Sequence, residues 1–169
     1  MEHLWAPWRM EFIERPKDQL EGCIFCDLPA ARRDSEYHIL YRGSFGFIML
    51  NGFPYNNGHL LIAAYHHASE LQGFSSEEKL ELMELTDLGC RLLEKAYRPE
   101  GFNVGMNLGR VAGAGIPGHL HIHIVPRWNG DTNFMPVLGG TRVLPEALSS
   151  SYDRLSKALL ELPGRCAQP

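Results

Sequence analysis

The run Gly118-His119-Leu120-His121-Ile122-His123-Ile124-Val125-Pro126 constrains this chain more than any other stretch. Histidines recur at every second position, with aliphatic residues between them. Side chains of an extended strand alternate between its faces. A strand therefore puts His119, His121 and His123 on one side and Leu120, Ile122 and Ile124 on the other. A helix would scatter the same residues around its circumference, so period two decides for a strand. Neighbouring histidines then stand about 7 Å apart. The aliphatic side suits a core, and the histidine side must meet a metal, a phosphate or water. Each neutral imidazole brings a donor and an acceptor that need partners. Three on one strand face are thus a poor fit to a purely structural role.

The 169 residues suggest one domain over 1–169, long enough to bury a proper core. A net charge of −4 argues against a nucleic-acid partner, which would call for a basic surface. The sequence has no apolar run of membrane-span length and no continuous apolar leader at its start, so no membrane partner and a cytoplasmic location are expected. The four cysteines do not make a disulfide framework. Cys23 and Cys26 form a C-x-x-C pair, which reads either as a tight apolar turn or as a metal or redox pair. No βαβ pattern surrounds it, which ranks metal above redox.

Residues 1–20 hold Trp5 and Trp8 without periodicity and read as an N-terminal arm. Tyr37–Tyr41, Phe45–Asn51 and His59–Tyr65 read as strands with short connections, hence antiparallel. Ser75 and Glu78 form an S-x-x-E capping box. A long helix follows to about Tyr97, stopped by Pro99, with Leu82, Leu85, Leu92 and Leu93 on its apolar stripe. Phe102–Asn107 reads as a fourth strand and the histidine run as a fifth. Residues 127–141 read as a long loop, Tyr152–Leu160 as a short last helix, and 164–169 as a frayed tail. The expected fold class is α+β, an antiparallel sheet of about five strands with one long helix and a short C-terminal helix. Gly109–Gly118, rich in glycine, leads into the histidine face. Its backbone N–H groups could form an anion nest, and beside three histidines phosphate binding is the favoured reading.

Together these residues resemble the histidine triad (HIT) superfamily of nucleotide hydrolases and transferases. His119 to Val125 is similar to its H-x-H-x-H-x-x signature. Asn51 with Gly58-His59 resembles its nucleoside-binding strand-turn-strand, and Leu61–His67 its strand ending in histidine. Leu4–Arg9 and Pro126–Phe134, with Trp128, Asn133 and Phe134, look like the bacterial subgroup that includes diadenosine tetraphosphate phosphorylases. The resemblance implies a dinucleoside polyphosphate substrate, cleaved through a nucleotidyl-histidine on His121. His123 would assist the phosphate or leaving group. Water as second acceptor makes a hydrolase, and inorganic phosphate a phosphorylase. Asn51, Asn107, Gly113, Ala114, Gly115, His119 and Trp128 are the implied substrate-side residues. Cys23, Cys26, His67 and His119 are the implied ligands of a structural zinc, with His66 a competing ligand. HIT proteins usually pair as two-fold dimers, so a homodimer is expected. The sequence departs from many HIT proteins in one respect. Ala114–Gly118 offers no Gln or Ser donor before the triad, which shifts leaving-group help to backbone amides and His123. Two other readings are a nucleotide-binding sensor with little turnover, and a metal-dependent hydrolase with the triad itself as ligands.

Overall fold

Short connections between alternating strands dictate antiparallel pairing, and the sheet is built that way. The computed structural model describes residues 22–132 and 144–162. The N-terminal arm with Trp5 and Trp8, Asn133, Phe134 and the tail 164–169 lie outside the described residues. The strands are β1 (Ile39–Arg42), β2 (Gly46–Leu50), β3 (Leu60–Ala64), β4 (Gly101–Met106) and β5 (His121–Arg127). They form one sheet in the order β1-β2-β3-β5-β4, with every neighbouring pair antiparallel. The helices are α1 (Ile24–Ala30), α2 (Asp34–Tyr37), α3 (Ser76–Tyr97) and α4 (Leu148–Leu160). None of the described helices is long and apolar enough to cross a membrane.

The sheet has two differently furnished faces. On one, Leu50, Leu60, Ile62, Leu120, Ile122 and Ile124 pack against Leu82, Leu85, Leu92 and Leu93 of α3 and Leu155 and Leu159 of α4. Each such buried side chain stabilises by roughly 1.5–3 kcal/mol. This is the larger core, and the aliphatic half of the histidine run belongs to it. The other face carries a smaller cluster, in which Phe25 of α1 meets Ile39, Phe47, Met49, Leu61 and Ala63. Cross-strand partners share a face. Ala63 pairs with His121 and Leu61 with His123, so both histidines stand on this second face.

The helix α3 begins as its capping box predicts. The Ser75 side chain accepts the Glu78 N–H (3.1 Å), and the Ser75 N–H donates to the Glu78 carboxylate (2.7 Å). Gly89 lets the helix settle on β5, since a Cβ there would lie 2.7 Å from Ile124 Cδ1. Gly58, at φ +75°, turns the chain into β3 beneath Tyr97.

Several strand ends differ from the sequence reading by one residue, and four differences are larger. Residues 34–37 form α2, and His38 in a left-handed conformation precedes β1, so the first strand starts at Ile39. The C-x-x-C pair is the start of a helix, with Cys23 at the N-cap of α1. Local side-chain competition makes serine a weak helix former, which hid the first turn of α4. There Ser151 donates to Glu146 (2.9 Å), and the helix begins at Leu148. Finally, β5 starts at His121, so His119 and Leu120 lead into the strand.

Candidate active site

The two ends of the histidine run serve different sites. His119 is buried, 1% exposed, and its Nε2–H donates to the Ala64 carbonyl (2.9 Å). That bond leaves Nδ1 as the lone-pair nitrogen. Nδ1 lies 3.3 Å from Cys23 Sγ and 3.7 Å from Cys26 Sγ, and Cys26 Sγ is 3.4 Å from His67 Nδ1. All four ligand atoms fall within 4.8 Å of one another. A tetrahedral zinc with ordinary Zn–S and Zn–N lengths requires S···N separations of about 3.5 Å. The donor set therefore fits a closed structural metal site. His66 turns away to Glu78 (Nδ1···Oε1 3.1 Å), which selects His67 from the adjacent pair. Burial, followed by the neighbouring Cys23, pushes the Cys26 thiol up to about 11, so a metal entering this site displaces a proton. Among the described residues this is the one group of three or more His, Cys, Asp or Glu side chains gathered tightly enough for a metal ion. The triad itself is thereby divided, which leaves the triad-as-metal-ligands reading without a site.

His121 is the nucleophile candidate, and its neighbours fix its tautomer. Its Nδ1–H donates to the His119 carbonyl (2.9 Å), so the Nε2 lone pair is available. Burial lowers its pKa, partly offset by that same hydrogen bond, so the ring is neutral at physiological pH. Phe25 covers it at a ring-centroid distance of 4.8 Å and touches His119 at 5.2 Å. Cys23 and Cys26, either side of Phe25, hold the first turn of α1 in the metal cluster. One short helix thus joins the cluster to the His121 ring.

His59, read from the sequence only as part of the strand-turn-strand with Asn51 and Gly58, stands beside the triad. It is fully buried, and its Nε2 lies 3.0 Å from His123 Nδ1. The backbone N–H of Tyr55 donates to its Nδ1 (3.0 Å), and Asn51 Nδ2 lies beside the ring, 3.3 Å from Nδ1 and 3.5 Å from Nε2. With Nδ1 accepting the Tyr55 N–H, the proton of neutral His59 sits on Nε2. His123 Nδ1 therefore accepts, and the His123 proton sits on its own Nε2. The Tyr55 ring stacks along His123 (5.9 Å, 17°) and leans on His59 (4.7 Å). The Gly58-His59 dipeptide was the available signal, but a single histidine opening an aliphatic strand has no period to betray it.

The remaining substrate-side residues are placed less uniformly. Asn51 follows β2, accepts the Phe53 N–H on its Oδ1 (2.9 Å) and sets its Nδ2 beside the His59 ring. Asn107 follows β4 and reaches the Gly113 carbonyl at 3.5 Å. The amides of Gly113 and Ala114 close the loop onto the Arg110 and Gly109 carbonyls, so these two donors serve the turn itself. Gly115 is exposed. Trp128 packs edge-on to Tyr97 of α3 (6.4 Å), and its ring is not brought to the histidines.

A five-stranded antiparallel sheet bearing H-x-H-x-H, one imidazole poised as a neutral nucleophile and another as a donor, defines a histidine triad protein. The chain belongs to the HIT family: the HIT domain matches residues 32–130. It is similar to the AP-4-A phosphorylase of Mycobacterium tuberculosis, with 39% identity over 155 residues, 88% of this chain and 79% of that protein. It also resembles an adenosine 5′-monophosphoramidase of Schizosaccharomyces pombe (25% identity, 82% of this chain and 98% of that one). Among solved structures, a zinc-bound histidine triad family protein from Mycobacterium smegmatis superposes with a TM-score of 0.67 at 25% identity, covering 83% of this chain and 94% of that one. The chain is accordingly a nucleotide-processing enzyme of the hydrolase and transferase class.

Proposed function

We propose that this enzyme cleaves dinucleoside polyphosphates, such as diadenosine tetraphosphate, through a nucleotidyl group carried on His121 and passed to inorganic phosphate. One observation carries the mechanism: His121 has its proton fixed on Nδ1 by the His119 carbonyl, so Nε2 holds the attacking lone pair. That lone pair bonds to the α-phosphorus as the Pα–O bond to the leaving nucleoside polyphosphate breaks. The ring turns cationic, and the His119 carbonyl stabilises its Nδ1–H. The His123 Nε2–H donates a hydrogen bond to the leaving oxygen, where charge gathers. A phosphate oxygen then attacks the same phosphorus, the N–P bond breaks and His121 returns neutral. Diadenosine tetraphosphate and phosphate thus give ATP and ADP, whereas water would give ATP and AMP. The likeness to the mycobacterial AP-4-A phosphorylase supports phosphate as the acceptor.

In this reading Cys23, Cys26, His67 and His119 hold a structural zinc, which supplies no chemistry to the reacting phosphate and fixes α1 and His119. The zinc-bound mycobacterial neighbour supports that assignment. The enzyme works in the cytoplasm as a homodimer. In support of pairing, β4 is an edge strand with exposed Val104, and Leu108 beyond it is also exposed. Light scattering should give twice the chain mass, and a monomer at micromolar concentration would remove the claim.

The deciding experiment supplies [32P]phosphate with unlabelled diadenosine tetraphosphate. The expected product is ADP labelled at its β-phosphate. His121→Ala should yield none, while still binding nucleotide. Unlabelled AMP in place of labelled ADP would make the enzyme a hydrolase. Turnover by His121→Ala near the wild-type rate would overturn the mechanism.

A further inference from the structure

The stretch Arg127–Asp131 follows the catalytic strand, and the chemistry above makes no use of it. Asp131 is its centre. Arg127 grips the carboxylate with two nitrogens, one at 2.8 Å, and the Trp128 N–H donates to it at 3.2 Å. A fourth donor comes from far away in sequence: Asn56 Nδ2, at 2.9 Å. Asn56 Nδ2 also donates to the Pro126 carbonyl (3.1 Å). Both partners can only accept, which settles the orientation of that amide. The Asp131 side chain is 8% exposed, and Arg127 holds its carboxyl down at about 2, so it is ionised throughout. Loop 52–58 is thereby sewn to the end of β5 through Asn56.

The neighbour of Asn56 is Tyr55, the residue whose backbone N–H meets His59 Nδ1. We propose that Asp131 is a positioning residue for His123: through Asn56 it holds the Tyr55 N–H where it keeps the His59 proton on Nε2, and His59 in turn keeps the His123 proton on Nε2. The inference rests on the reading that His123 serves the leaving group. Its logic is that of two coupled tautomers. If the loop shifts and the Tyr55 N–H withdraws, His59 is able to carry its proton on Nδ1. The 3.0 Å contact between His59 Nε2 and His123 Nδ1 then survives only with donor and acceptor exchanged. In that state the His123 proton sits on Nδ1. Its Nε2 becomes an acceptor, which repels the leaving oxygen it should stabilise. A pair of neutral rings is thus set in one direction by an amide that Asp131 anchors.

The test compares wild type with Asn56→Ala, Asp131→Ala and Arg127→Gln. The last removes the ion pair and keeps the Asn56 contact. Long-range 15N–1H spectra of 15N-histidine protein read each ring's tautomer. Kinetics compare diadenosine tetraphosphate with the 2,4-dinitrophenyl ester of AMP, whose phenolate leaves without help. In wild type, His59 and His123 should both carry the proton on Nε2. In Asn56→Ala and Asp131→Ala, both should shift toward the Nδ1-protonated form. Their kcat on the tetraphosphate should fall about ten- to a hundredfold, a part of what acid–base help is worth. KM and the rate on the ester should stay within about threefold. Arg127→Gln should keep wild-type tautomers and rates. Unchanged tautomers in Asn56→Ala, or equal losses on both substrates, would overturn the proposal. Asn56→Ala leaves the Arg127–Asp131 pair intact, so it decides the matter if Asp131→Ala does not fold. If wild type turns over neither substrate, the proposed reaction fails, while the spectra still judge the tautomers.

Discussion

Phe25 joins the Cys23, Cys26, His67 and His119 cluster to His121, the proposed nucleophile, and replacing Phe25 with alanine measures that link. The ring is 1% exposed and packs against Ile39, Phe47, Met49, Leu61 and Ala63, as well as His119 and His121. Truncating a core phenylalanine costs roughly 3–5 kcal/mol, with less where the site can collapse. The helix α1 has only seven residues and lies at the surface, so it can settle into part of the void. The lower end, about 3 kcal/mol, is expected, and for a chain this size that lowers Tm by roughly 6–12 °C. The same change admits water to His121. Burial is what lowers the His121 pKa, so resolvation moves it back up toward 6.5. Only the neutral ring attacks, and activity is lost as pH falls through that pKa. The acid limb of kcat/KM should therefore move to higher pH in Phe25→Ala. Thermal unfolding and a pH–rate profile on diadenosine tetraphosphate read both effects. A Tm within 2 °C of wild type together with an unmoved acid limb would refute the link.

Cys23→Ser should bind less than one-tenth of the metal held by wild type, measured by elemental analysis after dialysis. It should also unfold at a temperature several degrees lower, because a structural site's binding energy contributes to folding; full metal content in the variant would count against the ligand set. Chelated wild-type protein should lose stability in mild acid. Burial holds His119 near about 4 against 6.5 when unfolded. The unfolded chain thus takes up a proton first, and stability present above pH 6.5 is lost as pH falls toward 4. This group alone accounts for up to about 3 kcal/mol, read by urea unfolding across that range. A flat profile would contradict the assigned burial.

The legible parts of the sequence were those whose signal is local and repeated. Alternating His and aliphatic residues gave β5 and its two faces, and Ser75 with Glu78 gave the start of α3. The helix α1 was hidden because its seven residues hold Cys26 and Pro29, with Cys23 as its cap, and its stability comes from packing Phe25. The contact of His59 with His123 was illegible for another reason. His59 lines up with the catalytic side only once β3 pairs with β5, so that Leu61 meets His123, and no single strand shows that pairing. Asp131 sits in a loop with no period, and its significance depends on Asn56, 75 residues earlier. The candidate ligand His67 followed from the family resemblance, while the choice against His66 needed the Glu78 contact.

The strand order has a consequence for how this molecule comes into being. The strand β5 is the last in sequence, yet it lies between β3 and β4. Until residues 121–127 arrive, the Leu60–Ala64 edge has no partner on that side, and its backbone donors and acceptors can pair with another chain. The cluster is bound by the same delay, since Cys23 waits for His119, 96 residues on. Contacts so distant along the chain are slow to close, because the loop between them must be ordered first. An emerging chain therefore has neither the assembled Cys–His cluster nor a seated His121 until its final strand inserts. During that interval the aliphatic β3 edge is where aggregation would begin.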